Sequence, residues 1–351
     1  MFVVLFILSG KEENRMIVSI LITALNEEEY LPALFEDLLS QTYPKEKTEI
    51  VLMDSLSIDT TKQLMLEFQK SYEEEYYSIQ VLENTRKNQA AGFNVGAVHA
   101  KGDCILKIDA HATVPHDFVE ENVRVIESGE KVCGGRRPTL IKDSTDMAQT
   151  LHLVEESMFG SSIANYRKSN QPTYVKSIFH GMYHREVIET CGLLDERLGR
   201  TEDNEYHYRI RQHGYKIKYD PAIESYQYMR PTLFKMLKQK YGNGYWIGLT
   251  SHVCRECLSL YHFIPAVFVA LLVISLFMCV VTTIPFALLL LTYCIVVLGV
   301  SVLTLAQEQA KLTHLLLPVL IVAVHIAYGL GTWVGLIKGF SFRKDYFAQE
   351  K

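Results

Sequence analysis

From Leu258 to Ala306, and again from Leu312 to Ile337, the chain carries no Asp, Glu, Lys or Arg. A helix that crosses the hydrocarbon core of a bilayer needs about 20 predominantly apolar residues. The first stretch is long enough for two such helices and the second for one more. Residues 258–337 are therefore read as about three transmembrane segments, and a fully soluble protein is ruled out. The rest reads as foldable globular sequence, since 48% of the 351 residues are hydrophobic and 21% charged, unlike disordered chains. Lys and Arg number 35 against 40 Asp and Glu, a net charge of −5, so there is no basic field to hold nucleic acid.

The seven cysteines are odd in number and irregular in spacing, which fits a reducing compartment better than a disulfide framework and places the amino-terminal part in the cytosol. Cys254-Arg-Glu-Cys257 has the spacing of half a zinc site but no second Cys or His pair nearby, so the two are read as ordinary thiols. Residues 1–9 (MFVVLFILS) lack the basic leader, core length and cleavage site of a signal peptide. Residues 1–15 are read as an apolar extension, with Met16 a candidate start.

Residues 17–24 (IVSILITA) form a β-branched run, after which Leu31, Leu34, Phe35, Leu38 and Leu39 recur at helical spacing. Asn26 is placed to cap that helix, and Glu27, Glu28 and Glu29 suit its positive end. The alternation continues with strand 49–54, helix 60–71, strand 77–83, helix 89–100 and strand 104–109. Such a pattern predicts right-handed βαβ units and an α/β fold with a doubly wound, mostly parallel sheet. Ligands of such sheets bind beyond the carboxyl ends of the strands, so residues 23–28, 54–59, 84–92 and 109–111 should converge on one crevice.

Beyond Asp117 a helix near 117–128, a KVCGGRRP segment, a helix at 145–160 and a polar loop at 165–176 are expected to form the acceptor side. A helix starting near Asp203 and a strand at 216–220 close a catalytic domain spanning 16–230. Residues 231–257, rich in Tyr, Lys and Trp, are read as a juxtamembrane interfacial segment, and 338–351 as a basic tail. Three crossings from a cytosolic domain put Lys338, Arg343 and Lys344 outside, against the positive-inside tendency, and a re-entrant segment near Pro318 would remove the conflict.

Ile108-Asp109-Ala110-His111 ends an apolar strand, where side chains at i and i+2 share a face. Asp109 and His111 can thus reach one ion, and a carboxylate with an imidazole suits Mn²⁺ or a similar cation. The alternative is that His111 only caps the loop. Asp54 ends the second strand, where a carboxylate can accept from a base or ribose, while Asp59 has a competing role as cap of the next helix. Asn88 to Gly92 opens the third helix with small residues that let backbone approach a phosphate. Thr201-Glu202-Asp203-Asn204-Glu205 sets several carboxylates at a helix start. One of them can serve as a general base, or all can simply complement the helix dipole. Arg209 and Arg211 read as ion-pair partners or phosphate contacts. His180 and His184 are candidates to line the acceptor cleft.

Four motifs, ILITALNEEEYL, VLMDSLSID, LKIDAHA and GRTEDNEYHYRIRQHGYKI, stand in the order found in the family 2 glycosyltransferases of GT-A fold, which the chain resembles over roughly 16–337. NQAAGFNVG, IDAHATVPHDF, the RTEDNE box and the apolar carboxyl end look more narrowly like the succinoglycan-biosynthesis type of membrane glucosyltransferase. Ala24 and Leu25 stand where the family has Pro-x-Tyr, Ser55 and Leu56 where it has Asp-Gly, and His111 where it has a second Asp.

The resemblance implies that Thr23, Ala24, Asn26 and Glu28 border the nucleoside and Asp54 contacts uracil or ribose. Asn88 and Gly92 would help hold the donor, Asp109 and His111 would bind Mn²⁺ or Mg²⁺ on its diphosphate, and Asp203 would be the base with Glu202 beside it. It further implies a multi-pass membrane enzyme with a cytoplasmic catalytic domain. Such an enzyme moves a hexose with inversion from a UDP-sugar to a lipid-diphosphate-linked saccharide, in capsule or exopolysaccharide assembly. Two rivals are a processive polysaccharide synthase, against which the missing Gln-x-x-Arg-Trp motif speaks, and a non-catalytic nucleotide-binding scaffold.

Overall fold

The computed structural model describes residues 15–142, 145–157, 159, 169–229, 232–306, 308 and 311–348. The apolar extension before Arg15, part of the expected 165–176 loop, the end of the expected 145–160 helix, Pro231 and the last residues of the basic tail lie outside them. The chain forms two compact units, one from Met1–Pro138 with Lys168–Gln227 and the other from Thr139–Arg167 with Tyr228–Lys351.

The first unit opens with β1 (Val18–Ala24), α1 (Leu31–Leu39), β2 (Thr48–Asp54), α2 (Thr61–Tyr72), β3 (Ser78–Glu83), α3 (Gln89–His99) and β4 (Cys104–Asp109). β1 and β2 are buried at every position, as strands covered on both faces must be, and their apolar runs fill a core on each side of the sheet. The strand expectations hold to within a residue. The first helix does not start at Asn26 but five residues later, where Pro32 supplies a preset first turn. Asn26 instead takes φ +56°, a left-handed conformation that Asn tolerates, and joins the loop that follows β2.

The chain continues with β5 (Ala112–Thr113), α4 (Phe118–Glu127), β6 (Val132–Arg136), α5 (Asp146–Glu156), β7 (Thr173–Val175), β8 (Met182–His184), α6 (Arg185–Cys191), α7 (Glu202–Gln212), β9 (Ile217–Glu224) and β10 (Tyr226–Tyr228). The main sheet has eight strands in the order β3-β2-β1-β4-β8-β6-β9-β7. β1 to β4 are parallel, but β8 enters antiparallel between β4 and β6, and β7 is antiparallel on β9. The sheet is therefore mostly parallel with mixed strands in its second half. Register sets Ala24 beside Asp54 and Thr23 beside Asp109, which brings the carboxyl ends of β1, β2 and β4 to one crest.

The second unit holds α5, α8 (Leu233–Thr250), α9 (Ile264–Met278), α10 (Ile284–Leu305) and α11 (Leu317–Ala348). Among the described residues three helical segments are long and apolar enough to cross a membrane, Leu260–Met278, Ile284–Leu305 and Leu312–Ala348. The segment read as interfacial is a packed helix. A Cβ on Gly244 would lie 2.0 Å from the Tyr328 carbonyl oxygen, and one on Gly335 2.1 Å from that of Tyr245, so α8 and α11 touch backbone to backbone, the contact small residues permit. Lys240, buried on α8, is paired with Glu155 of α5 at 2.7 Å. α11 runs from Leu317, with Pro318 in its first turn. Lys338, Arg343 and Lys344 lie on that helix rather than in a tail.

Candidate active site

The crest over β1 and β2 is tied together by its own loops. Ser55 N–H donates to the Ala24 carbonyl at 2.8 Å, Ile58 N–H to Asn26 Oδ1 at 2.9 Å, and Asn26 N–H to Ser57 Oγ at 3.0 Å. Glu28 Oε2 accepts from both the Thr60 amide at 3.0 Å and its hydroxyl at 2.7 Å. Asp54 is buried, with Oδ1 accepting from Ser57 N–H at 3.2 Å. Asp59 Oδ1 accepts from Thr61 N–H at 3.0 Å, but the cap position of α2 is Thr60 and not Asp59, as the competing reading had it. Leu56, where the family motif has Gly, takes φ +59°.

Asn88 and Gly92 also have local work. Asn88 is the cap of α3, its Oδ1 accepting from Ala91 N–H at 2.7 Å and its Nδ2 donating to the Glu196 carbonyl at 3.2 Å. A Cβ on Gly92 would fall 2.3 Å from Thr23 Cγ2, so glycine here lets α3 lie directly on β1.

The crest over β4 is built from charge. Lys107 and Asp109 are alternate residues of β4 and share a face. Lys107 is buried and its Nζ lies 2.9 Å from Asp203 Oδ1, at the start of α7. Burial works against the Lys107 ammonium, but Asp203, Asp109 and Glu202 together raise it above an ordinary lysine. Asp109 Oδ1 accepts from Gln89 Nε2 at 3.3 Å, and its Oδ2 lies 3.2 Å from His180 Nε2 and 4.0 Å from Arg137. Burial would raise the Asp109 carboxyl, yet His180, Lys107 and His111 hold it well below the usual range.

Beside Asp203, Glu202 is buried and its Oε2 has no hydrogen-bond partner among the described residues. Burial first, and the Asp203 charge second, push its carboxyl up to about 7. The adjacent carboxylates thus differ: Asp203 is paired with a lysine, while Glu202 keeps one oxygen without a hydrogen-bond partner among the described residues and is pushed toward its neutral form.

His111 follows the end of β4. Its Nδ1 lies 3.1 Å from Glu27 Oε1 and its Nε2 2.7 Å from Gln227 Nε2, the latter brought beside it by the pairing of β10 with β5. Among the described residues no three His, Cys, Asp or Glu side chains converge as a metal cluster. Arg209 is bidentate to Glu205 and donates to the Cys191 and Leu193 carbonyls, the ion-pair role read for it. Arg211 Nε donates to the His207 carbonyl at 3.2 Å. His184 caps α6, whereas His180 stands at Asp109.

Lys107, Gln89, Arg137 and Glu27 were not singled out by sequence reasoning. Lys107 had a signal, since the spacing that pairs Asp109 with His111 also pairs it with Lys107. Arg137 and Gln227 had none, because one arrives from the loop after β6 and the other from β10, both far from Asp109 and His111 in the sequence.

Residues 19–192 match the family model described as Glycosyl transferase family 2. The chain is 27% identical over 328 residues to the dolichyl N-acetyl-α-D-glucosaminyl phosphate 3-β-D-2,3-diacetamido-2,3-dideoxy-β-D-glucuronosyltransferase of Methanococcus voltae. That match covers 92% of this chain and 98% of the relative. It is 26% identical over 231 residues to the succinoglycan biosynthesis protein ExoA of Rhizobium meliloti (strain 1021), covering 64% and 67%. In structure it is similar, with TM-score 0.62 and 16% identity over 94% of this chain and 88% of the other, to the mannosyltransferase PcManGT from Pyrobaculum calidifontis, solved with GDP-Man and Mn²⁺. With three of the four motifs set on the strand ends of this mixed α/β sheet and the fourth on α7, the chain belongs to the family 2 glycosyltransferases and has the GT-A fold.

Proposed function

We propose that this chain transfers a hexose, with inversion, from a nucleoside diphosphate sugar of the UDP class to a lipid-linked saccharide. The observation that carries the reading is the Asp203–Lys107–Asp109 arrangement. A carboxylate paired at 2.9 Å with a buried lysine stands beside the strand end where a donor's diphosphate would lie. Asp203 is the base that takes the proton from the acceptor hydroxyl, leaving that oxygen to attack the anomeric carbon from the side opposite the departing diphosphate. Lys107, through its ion pair with Asp203, keeps that carboxylate aimed. Glu202, pushed up to about 7 by burial and by the Asp203 charge, carries less charge beside the base than an ordinary carboxylate and so limits repulsion.

Asn26, Glu28 and Asp54, with Thr23 and Ala24 on β1, would border the nucleoside, and Asn88 with Gly92 would fix the start of α3 against it. For the diphosphate, Asp109 and His111 offer a carboxylate and an imidazole, a donor set that fits Mn²⁺ or Mg²⁺. The ion, when bound, would stabilise negative charge on the leaving group. The glucuronosyltransferase of M. voltae is named for a dolichyl-phosphate-linked sugar, and PcManGT was solved with a nucleotide sugar and Mn²⁺; both support this reading. The apolar helices would hold the catalytic unit at the cytoplasmic leaflet, where a lipid-linked acceptor concentrates.

The test is a screen of UDP- and GDP-sugars with full-length protein in detergent and short-chain lipid phosphate or diphosphate saccharides, with and without added Mn²⁺. Product with a newly formed β-linkage is expected from an α-linked UDP-hexose. Nucleotide binding with no transfer to any acceptor would support the scaffold instead, and long polymer from a single encounter would support a processive synthase.

A further inference from the structure

One imidazole at this site has a different environment from the one the motif supplies. His180 is 4% exposed and stands just before β8, next to Asp109. Its Nδ1 is 2.8 Å from Ser225 Oγ, and Ser225 is itself buried, with its amide donating to the Arg136 carbonyl. Among the described residues its Nε2 makes no well-directed hydrogen bond, and the atom it faces is Asp109 Oδ2, 3.2 Å away. His111 differs, since each of its ring nitrogens faces a side chain, Glu27 on one side and Gln227 on the other.

A buried ring nitrogen that makes no well-directed hydrogen bond calls for an explanation. A ring oriented through one nitrogen, with the other turned toward a carboxylate, is how metal-ligating histidines are built, the orienting partner fixing tautomer and angle. The spacing agrees. Adjacent ligands of an octahedral ion with bonds of about 2.1 Å lie about 3 Å apart, close to the 3.2 Å between His180 Nε2 and Asp109 Oδ2.

We propose that His180 Nε2, oriented by Ser225, is a ligand together with Asp109 of the divalent cation that binds with the donor diphosphate. The proposal rests on the transferase reading for the diphosphate and goes beyond it in naming the nitrogen. It also gives the site a preference, because an imidazole ligand favours Mn²⁺ over Mg²⁺.

The experiment uses full-length protein in detergent with Mn²⁺ and UDP, read by electron spin-echo modulation and by loss of the free Mn²⁺ signal. Wild type and His111→Gln should both show nitrogen directly bound to Mn²⁺, and His180→Gln should lose the His180 coupling, keeping at most the one from His111, and bind Mn²⁺ at least tenfold more weakly. Ser225→Ala, which leaves His180 in place, should weaken Mn²⁺ by about tenfold. Absence of nitrogen coupling in wild type overturns the proposal without any variant having to fold. Coupling that disappears in His111→Gln but persists in His180→Gln also overturns it. A wild type that shows the His180 coupling but transfers no sugar would remove the transferase reading and leave the ligand assignment standing.

Discussion

The two crests of the sheet are made of similar residue types put to opposite uses. Over β1 and β2, Asn26, Glu28, Asp54, Ser57 and Asp59 spend their hydrogen bonds on neighbouring loop atoms, so their side chains fix backbone. Over β4 and α7, Lys107, Asp109, Glu202, Asp203 and His180 are set against one another, and among the described residues two buried atoms, Glu202 Oε2 and His180 Nε2, make no hydrogen bond. The difference follows from what each position can reach. A side chain in these loops finds amides of its own loop or of the loop facing it, whereas a side chain at the buried end of a central strand meets other side chains from distant segments. The first crest is a scaffold, and the second a set of charges whose states depend on one another.

The sharpest way to break this comparison is Asp203→Asn. The amide keeps the shape but cannot take the proton, so transfer should fall by about 10²–10⁴-fold while UDP binding stays close to wild type. A variant that keeps more than about a tenth of wild-type turnover would remove Asp203 from the role of base.

Next in size is Lys107→Met, which leaves Asp203, Asp109 and Glu202 close together without their shared cation. Removing one partner of a buried ion pair costs about 3–5 kcal/mol, measured here as unfolding of the detergent-solubilised chain. The double variant with Asp203→Asn should lose less than the sum of the two single losses, because one interaction is removed only once. Additive losses would mean that Lys107 is held by packing and not by its charge.

Glu202→Gln sharpens the comparison through pH. In the fold Glu202 titrates near 7, against an ordinary 4.5. Below about pH 4.5 its contribution to stability is fully present. Between the two values the unfolded chain releases a proton that the folded chain retains, so stability falls as pH rises and the contribution is lost through pH 7. Glutamine removes that loss, so the melting midpoint of the variant should gain on wild type steadily from pH 5 to pH 8. A constant gap across this range would show that Glu202 is not held neutral.

Much of the first crest was legible because it is local. The β-branched runs ending at Ala24, Asp54 and Asp109 located three strand ends, and a parallel sheet brings such ends together. What failed there failed for the same reason: Asn26, Glu27 and Glu28 have the composition of a helix start, but their atoms are used by the loop after β2, and Pro32 decides where α1 begins. The second crest was legible only in its carboxylates and His111. The three-residue strand β8, which brings His180 to Asp109, is too short to leave a period in the sequence. The placing of α5 with the apolar helices depends in part on the Lys240–Glu155 pair, whose members are 85 positions apart.

The smallest effect is expected at Leu56, and it tests whether the first crest is only a scaffold. Leu56 sits at φ +59°, where a side chain costs about 1–2 kcal/mol relative to glycine. Leu56→Gly relieves that strain but gives the unfolded chain more freedom, a loss of roughly 0.5–1 kcal/mol, and removes a half-buried side chain. The terms nearly cancel, so stability should stay within about 1 kcal/mol of wild type and transfer should be unchanged. Leu56→Val has no such compensation, because a β-branched residue tolerates this conformation least, and it should destabilise by more than the glycine does. If Leu56→Gly instead cuts transfer tenfold in a chain that melts normally, the Leu56 side chain itself contacts the nucleotide, and the first crest is then part of the binding surface as well as its support.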